Sequence, residues 1–284
     1  NDELTIVCKK MDISSVSRER IEEEFKKMFL KSRLPSRGIR WLHAIGRLVA
    51  ILPELFAMVK VPQNPQWHAE GDAFEHTMQT VDAAARIVKI YDNQFKKLLL
   101  LYAALCHDLG KPTTTEKING VYKSIGHEKE GVKFAKQLLK NITEEKVLIA
   151  AVVKLVRYHM VPLQLVTNNA GFAAYKRLAN KLSPQATLYE LANLFFADRQ
   201  GRNPRNAMPL KKSDPDVAIF IQMADKAQVL AAIEKPILQG RDLLDIVEPG
   251  PYMGKLLKKA YQIQIEKNIR DKEELKQRIL VKED

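Results

Sequence analysis

Residues 107 to 111 read His107-Asp108-Leu109-Gly110-Lys111 and close an apolar run, Leu98-Leu99-Leu100-Leu101-Tyr102-Ala103-Ala104-Leu105-Cys106. An imidazole and a carboxylate side by side, where a hydrophobic helix stops at a glycine, are costly to desolvate unless something binds them. A divalent cation is the simplest partner, and its other ligands must then come from elsewhere in the chain. The six histidines are His43, His68, His76, His107, His127 and His159. His76 follows Glu75 on the inner face of a predicted helix that also presents Thr77 and Thr80. His127 follows Ser124-Ile125-Gly126 at a helix start. His159 ends the apolar stretch Val152 to Tyr158, and Asp198 ends another, Leu188 to Ala197. Four histidines and two aspartates thus sit at helix ends or on apolar faces, and a helical bundle can gather such side chains in its interior. Nitrogen and oxygen ligands without thiolate suit Mn, Fe, Co, Ni, Zn or Mg. Cys106 adjoins His107, but neighbours on a helix face apart, so it reads as core packing. His68 reads as a loop histidine packed beside Trp67, and His43 as structural or exposed.

The elements that must position these groups read as almost wholly helical. Ser17 is an N-cap, followed by Ile21, Phe25, Met28 and Phe29 at helical spacing. Pro35 to Gly38 breaks that helix, and a second carries Ile39, Leu42, Ile45 and Leu48-Val49. Residues 61–72 hold two prolines and a glycine and read as a loop. Helices are predicted near 73–91, 94–109, 127–140, 144–158, 171–182, 187–197, 216–233, 252–265 and 272–280. Thr113 to Gly126 reads as polar and loop-like, with a short extended piece at Val121-Tyr122. No strand pairing and no internal repeat is predicted. Residues 201–216, with Pro204, Pro209 and Pro215, read as irregular. The expectation is an all-α bundle divided into a helical neck-like segment (1–60), a central domain (61–235) and a C-terminal helical segment (236–284).

Composition bounds the partners. The chain has 284 residues, 46% apolar and 28% charged, with a net charge of +12. No uninterrupted apolar stretch has membrane-spanning length. Two cysteines, Cys8 and Cys106, suggest no disulfide framework and favour a reducing, cytoplasmic setting. The excess positive charge points to an anionic partner, nucleotide or RNA. It is clustered in Lys31, Arg33, Arg37, Arg40 and Arg47, and again in Arg199, Arg202, Arg205, Lys211 and Lys212.

His76, then His107-Asp108, then Asp198 resembles the H…HD…D signature of the HD-domain phosphohydrolases. Gly126-His127-Glu128 and Tyr158-His159 match further histidines of many members. The chain is more closely similar to the neck, HD and C-terminal portions of bacterial tRNA nucleotidyltransferases, the CCA-adding enzymes. That likeness is carried by Pro65 to Asp72 with Glu75-His76-Thr77, by His107 to Thr113, by Gly126 to Gly131 and by Asp198-Arg199-Gln200-Gly201-Arg202. Val16 to Ile21, Lys31 to Gly38, Gly240 to Leu244 and Pro249 to Gly254 extend it over essentially the whole chain. One departure bears on the reaction. No glycine-rich strand start with a following Asp-x-Asp pair is visible, and Asp214-Pro215-Asp216 has the letters in a proline-rich context. The expectation is therefore a headless homologue or the C-terminal portion of a longer enzyme, unable by itself to add nucleotides.

The resemblance implies an HD-domain helical bundle and a metal-dependent phosphohydrolase. His76, His107, Asp108 and Asp198 would hold one divalent ion. His127 and His159 would hold a second ion or donate to the phosphate, with Asp108 placed between. Lys111 and Arg202 are expected to meet phosphate oxygens. The substrates implied are 2′,3′-cyclic phosphodiesters, 2′-nucleotides and other phosphate esters, including RNA ends. The competing expectation is a tRNA-binding body whose chemistry lies in a separate head domain.

Overall fold

The apolar run before His107 forms a helix whose residues from Leu98 to Cys106 are all buried, and the other elements are arranged around it. The structure, a computed structural model, describes residues 2–12, 16–203 and 212–280. Five helices come first: α1 (Asp2–Lys10), α2 (Arg18–Lys31), α3 (Ser36–Ala44), α4 (Leu48–Ile51) and α5 (Pro53–Phe56). After the 61–72 loop come α6 (Ala73–Ile87), α7 (Gln94–Cys106) and the short α8 (Lys111–Thr114). A hairpin of β1 (Thr115–Ile118) and β2 (Val121–Ser124) leads into α9 (His127–Ile142). Then follow α10 (Lys146–Tyr158), α11 (Val161–Thr167), α12 (Phe172–Leu182), α13 (Leu188–Gln200), α14 (Pro215–Lys226), α15 (Pro251–Lys267) and α16 (Lys272–Leu280).

Local chemistry fixes many of the starts. Ser17, Asp72, Asn93, Thr187 and Asp214 each accept a backbone N–H of the first turn, which would otherwise lack a partner. Asp72 is tied twice, accepting Glu75 N–H at 2.8 Å and Lys60 N–H at 2.7 Å. Packing then brings α7 against α6, α10 and α13, and α10 against α9. Each fully buried leucine of α7 contributes about 1.5–3 kcal/mol of transfer free energy against the entropy of ordering it.

The N-terminal helices share this core. Phe25, Phe29, Ile39, Leu48, Leu52, Leu55 and Met58 belong to the same apolar cluster as residues of α6, α7, α9, α10, α12, α13 and α14. Phe29 meets Tyr102 edge to face at 5.3 Å. Ser36 donates its N–H and hydroxyl to the buried Asp82 carboxylate at 3.0 and 2.6 Å, and Arg40 pairs with Glu75 at 2.8 Å. Leu238, Leu243, Met253, Leu256, Ala260, Ile269, Leu275 and Ile279 form a second cluster. It is joined to α12 by Lys176, which donates to Asn268 Oδ1 at 2.6 Å, and by Tyr261, which donates to Asn180 Oδ1 at 3.0 Å.

Several boundaries differ from the sequence reading. Strand pairing exists: Thr115 faces Ser124 and Ile118 faces Val121 across a two-residue turn. That turn is Asn119-Gly120, both at positive φ (52° and 80°), the turn that matches the twist of a hairpin. The asparagine–glycine pair was the available signal. The predicted second helix is interrupted after Ala44 by a turn through Gly46, so Leu48-Val49 belong to α4. The helix expected to reach residue 233 ends at Lys226, and Pro215 opens it at a position where a missing N–H costs nothing. Helices α1 and α11 were not foreseen. Pro204, Pro209, Arg205 and Lys211 lie outside the described residues.

One stretch, Lys146–Thr167, is long and apolar enough to cross a membrane by length and composition. Here it divides into α10 and α11 at His159-Met160. Its Leu148, Ala151, Val152, Leu155 and Val156 are buried in the central core.

Candidate metal centre

Four of the six histidines converge on Asp108. Chain geometry delivers two of them by one device. A helix leaves its last carbonyls without N–H partners, so a histidine placed just past the end can donate Nδ1–H back to one of them. His107 does so to Ala104 O at 2.8 Å after α7, and His159 to Val156 O at 2.7 Å after α10. His127, at the start of α9, makes the same three-residue return to Ser124 O at 2.7 Å. His76 lies in the first half of α6, and its Nδ1 faces Glu70 Oε1 at 2.7 Å.

A carbonyl or carboxylate oxygen only accepts here, so each Nδ1 carries the proton and each Nε2 presents a lone pair. Those Nε2 atoms meet in pairs. His76 and His107 are 3.3 Å apart at Nε2, and His127 and His159 are 3.1 Å apart. Two lone pairs at that distance, in a buried site, need a cation between them, either a proton or a metal ion. Carboxylates complete both places. Asp198 Oδ1 lies 3.0 Å from His76 Nε2, and Asp108 Oδ2 lies 3.2 Å from His107 Nε2. Asp108 Oδ1 faces the other pair, at 3.2 Å from His127 Nε2 and 3.9 Å from His159 Nε2. Two trios at the centre therefore have their ligand atoms within 4.8 Å of one another, His76, His107 and Asp198, and Asp108, His127 and His159; among the described residues a third, His68, Glu70 and His76, lies beside them. Asp108 Oδ2 is buried without a hydrogen bond of good geometry. The donor set is of nitrogen and oxygen, and the residues fit a divalent ion.

The electrostatics agree. Burial would raise Asp108, but the His107 ring and the Lys111 ammonium outweigh it and hold the carboxyl well below the usual range. Burial likewise opposes Asp198, and Arg202 and His76 hold it low. Both are carboxylates ready to ligate. Burial pushes His159 down to about 3, helped by the neighbouring His127 and His107, so it is neutral. Burial also opposes charging His76 and His127. There Asp198 and Glu70 raise His76, and Asp108 raises His127. Both shifts favour the protonated ring while no metal ion competes for it. Metal uptake is therefore expected to release a number of protons above zero, and affinity to fall as pH falls. Calorimetric titrations in buffers of different ionisation enthalpy measure that number, and a value near zero would overturn the assignment.

The two halves of the centre are fixed to each other by main chain. A Cβ at Gly110 would stand 2.1 Å from His127 O and 2.7 Å from Gly131 N, so the turn after Asp108 seats directly on α9. Gly110 has an ordinary φ of −82°; the glycine is required by close approach, not by a left-handed cap.

Lys111 and Arg202 both reach the centre. Lys111 Nζ is 2.7 Å from Asp108 Oδ2 and donates to Gln63 Oε1 at 2.5 Å, and Arg202 Nη2 donates to both Asp198 oxygens at 3.1 and 3.2 Å. Arg199 lines the cavity over the centre and pairs with Asp214 and Asp216 at 3.0 and 3.1 Å. Asp214-Pro215-Asp216 is thus a helix cap held by an arginine. Of the first basic stretch, Lys31, Arg33 and Arg37 are exposed, while Arg40 is held by Glu75 and Arg47 by the Cys8 and Met11 carbonyls. Cys106 is buried and its thiol pushed up by burial. His43 packs against Phe56 and Phe74.

A cavity of about 590 Å³ opens over the centre, the size of a small-ligand site. Its floor is Asp108, Lys111, His127, His159, Asp198 and Arg202, and its walls include Trp67, Val121, Met160 and Leu163. His68 also lines it, with Nδ1 2.8 Å from Glu70 Oε1. The sequence reading missed this arrangement. Trp67 stands 63% exposed, and His68 turns to a carboxylate two residues on. The short His-x-Glu spacing just before the helix carrying His76 was the signal.

A sequence model described as the HD domain matches residues 73–228. The chain is 29% identical to the A-adding tRNA nucleotidyltransferase of Deinococcus radiodurans, over 84% of this chain and 52% of that protein. It is 30% identical to the multifunctional CCA protein of Paraburkholderia phymatum, over 81% of this chain and 54% of that one. With the multifunctional CCA protein of Mannheimia succiniciproducens it shares 35% identity, over 44% of this chain and 29% of the relative. The matched stretch thus spans about half, or less, of each of these relatives.

Proposed function

This chain belongs to the HD domain family, and from that premise we propose that it is a metal-dependent phosphohydrolase acting on phosphate esters of nucleotides or RNA ends. The observation that carries the proposal is the pair of facing Nε2 couples with Asp108 between them. His76, His107, Asp108 and Asp198 would hold one ion, and Asp108, His127 and His159 a second. A divalent ion there supplies Lewis acidity, acidifying water and polarising a phosphoryl oxygen. The chain's own residues do the rest. Asp108 and Asp198 stay ionised and keep the imidazoles directed inward. Lys111 and Arg202, on the cavity floor, bind the phosphate oxygens and set the ester's orientation. The cavity's burial of these charges strengthens each such contact.

The apolar wall beside this floor favours a nucleotide over a bare phosphate. An exposed indole offers a stacking face worth about 1–3 kcal/mol to a base. Trp67→Ala is accordingly expected to raise KM for a nucleoside 2′-phosphate roughly ten-fold with kcat unchanged. KM for glycerol 2-phosphate should not move. Equal shifts for both substrates would remove Trp67 from base binding. The proposal itself is tested with Mn²⁺- or Ni²⁺-loaded protein on 2′,3′-cyclic nucleotides, 2′-nucleotides and generic phosphate esters. Hydrolysis of none, or activity left intact by His107→Ala, would defeat it.

A second reading rests on the relatives' names. The body of this chain would bind tRNA while a nucleotidyltransferase head does the chemistry. The exposed Lys31, Arg33 and Arg37 favour it. Binding of tRNA that weakens steeply with salt, without phosphoester hydrolysis, would select it.

A further inference from the structure

The 61–72 loop holds Glu70 against the back of His76. We infer that Glu70 is a positioning residue: its carboxylate fixes the His76 ring with Nε2 turned to the metal centre, and His68 locks the carboxylate from the other side. The inference rests on the metal-site reading above but not on hydrolysis.

The geometry is closed on every side. Glu70 Oε1 receives His76 Nδ1–H at 2.7 Å and His68 Nδ1–H at 2.8 Å. The Glu70 side chain is fully buried, and among the described residues its Oε2 has no hydrogen-bond partner, so both bonds fall on one oxygen. The two rings cross edge to face at 4.8 Å. The loop is fastened at its ends: Ala73 N–H donates to Val61 O at 3.0 Å, and Lys60 N–H to Asp72 at 2.7 Å. Gln63, on the same loop, accepts from Lys111. One loop therefore supports two residues of the centre from outside.

His76 needs this support more than its partners do. His107, His127 and His159 each return Nδ1–H to a main-chain carbonyl three residues back. His76 sits inside α6 and its Nδ1 partner is the Glu70 side chain rather than a carbonyl, while Thr80 Oγ1 lies 3.5 Å from its Nε2. Carboxylates that hold a ligating imidazole in this way are worth about 10–100-fold in metal affinity.

The test is Ni²⁺ titration of the metal-free protein by competition with a chromophoric chelator. Glu70→Ala should bind about 10–100-fold more weakly. Glu70→Gln, which keeps an acceptor oxygen, should recover most of the loss, and His68→Ala should lose less than Glu70→Ala. Long-range ¹H–¹⁵N spectra of the wild-type metal-free protein in alkaline buffer should show His76 as the Nδ1–H tautomer. This arm needs no variant to fold. Wild-type affinity in Glu70→Ala, or an Nε2–H tautomer in the wild type, would overturn the inference. So would a Ni²⁺ count that drops by one with the remaining affinity unchanged, which would make Glu70 a ligand itself. Protein that binds Ni²⁺ normally and hydrolyses nothing would defeat the proposed function and leave this inference standing.

Discussion

Asp108→Asn is expected to leave less than about a thousandth of the phosphohydrolase activity and to weaken metal binding at both trios. The magnitude follows from the shared role of one side chain. Asp108 gives Oδ2 to the His107 side and Oδ1 to His127 and His159, so a single substitution strips the charge from both places. Metal polarisation supplies several kcal/mol of transition-state stabilisation, and about 4 kcal/mol corresponds to a thousand-fold. Asparagine keeps the shape, so the fold should persist. It leaves the buried Lys111 ammonium without its carboxylate, 2.7 Å away in the wild type, and the metal-free variant should lose stability for that reason. Steady-state kinetics, metal analysis and thermal unfolding measure the three effects separately. Activity within ten-fold of wild type would show that Asp108 does not serve the reaction.

Gly110→Ala is expected to cost about 3 kcal/mol or more of stability, at the upper end of overpacking penalties. The added methyl would meet His127 O at 2.1 Å and Gly131 N at 2.7 Å. These are main-chain atoms of α9 and cannot rotate aside, unlike the tip of a side chain. Either the 107–110 turn or the first turn of α9 must shift. His107 and Asp108 sit on one side of that contact and His127 on the other, so the surviving folded protein should also bind metal more weakly. Denaturant unfolding and Ni²⁺ titration of the same sample test both parts. A variant with wild-type stability would mean that the close approach is absent in solution.

The gathering of these histidines and aspartates was legible in the sequence because they stand at marked places. His107 and His159 follow long apolar runs, and an end of a helix offers carbonyls in need of a donor. That need turns the ring and aims Nε2 along the axis, into the space where several helix ends meet. His127 was visible beside its glycine for a related reason. The helical class was equally legible from the spacing of Phe25, Phe29 and the α7 leucines. What stayed hidden depends on a partner remote in sequence or on geometry that residue type does not express. Gly110 looked like a stop signal, and its actual constraint comes from Gly131. Arg199 belongs to a basic run, and its partners Asp214 and Asp216 could not be read from it. The hairpin carries a sequence signal in Asn119-Gly120, obscured because its flanking strands are short and largely polar. Glu70 was unremarkable as a loop residue until the loop folded back over α6.

The cations seated on the two carboxylates have a consequence for how the centre fills. Lys111 pairs with Asp108, and Arg202 with Asp198, so each cation of the cavity floor is already held by a carboxylate. A phosphate that reaches Lys111 and Arg202 in turn draws them away from the carboxylates and leaves those freer to ligate. Under the proposed function, ion and substrate would therefore help each other bind, and by thermodynamic reciprocity each would strengthen the other by the same factor.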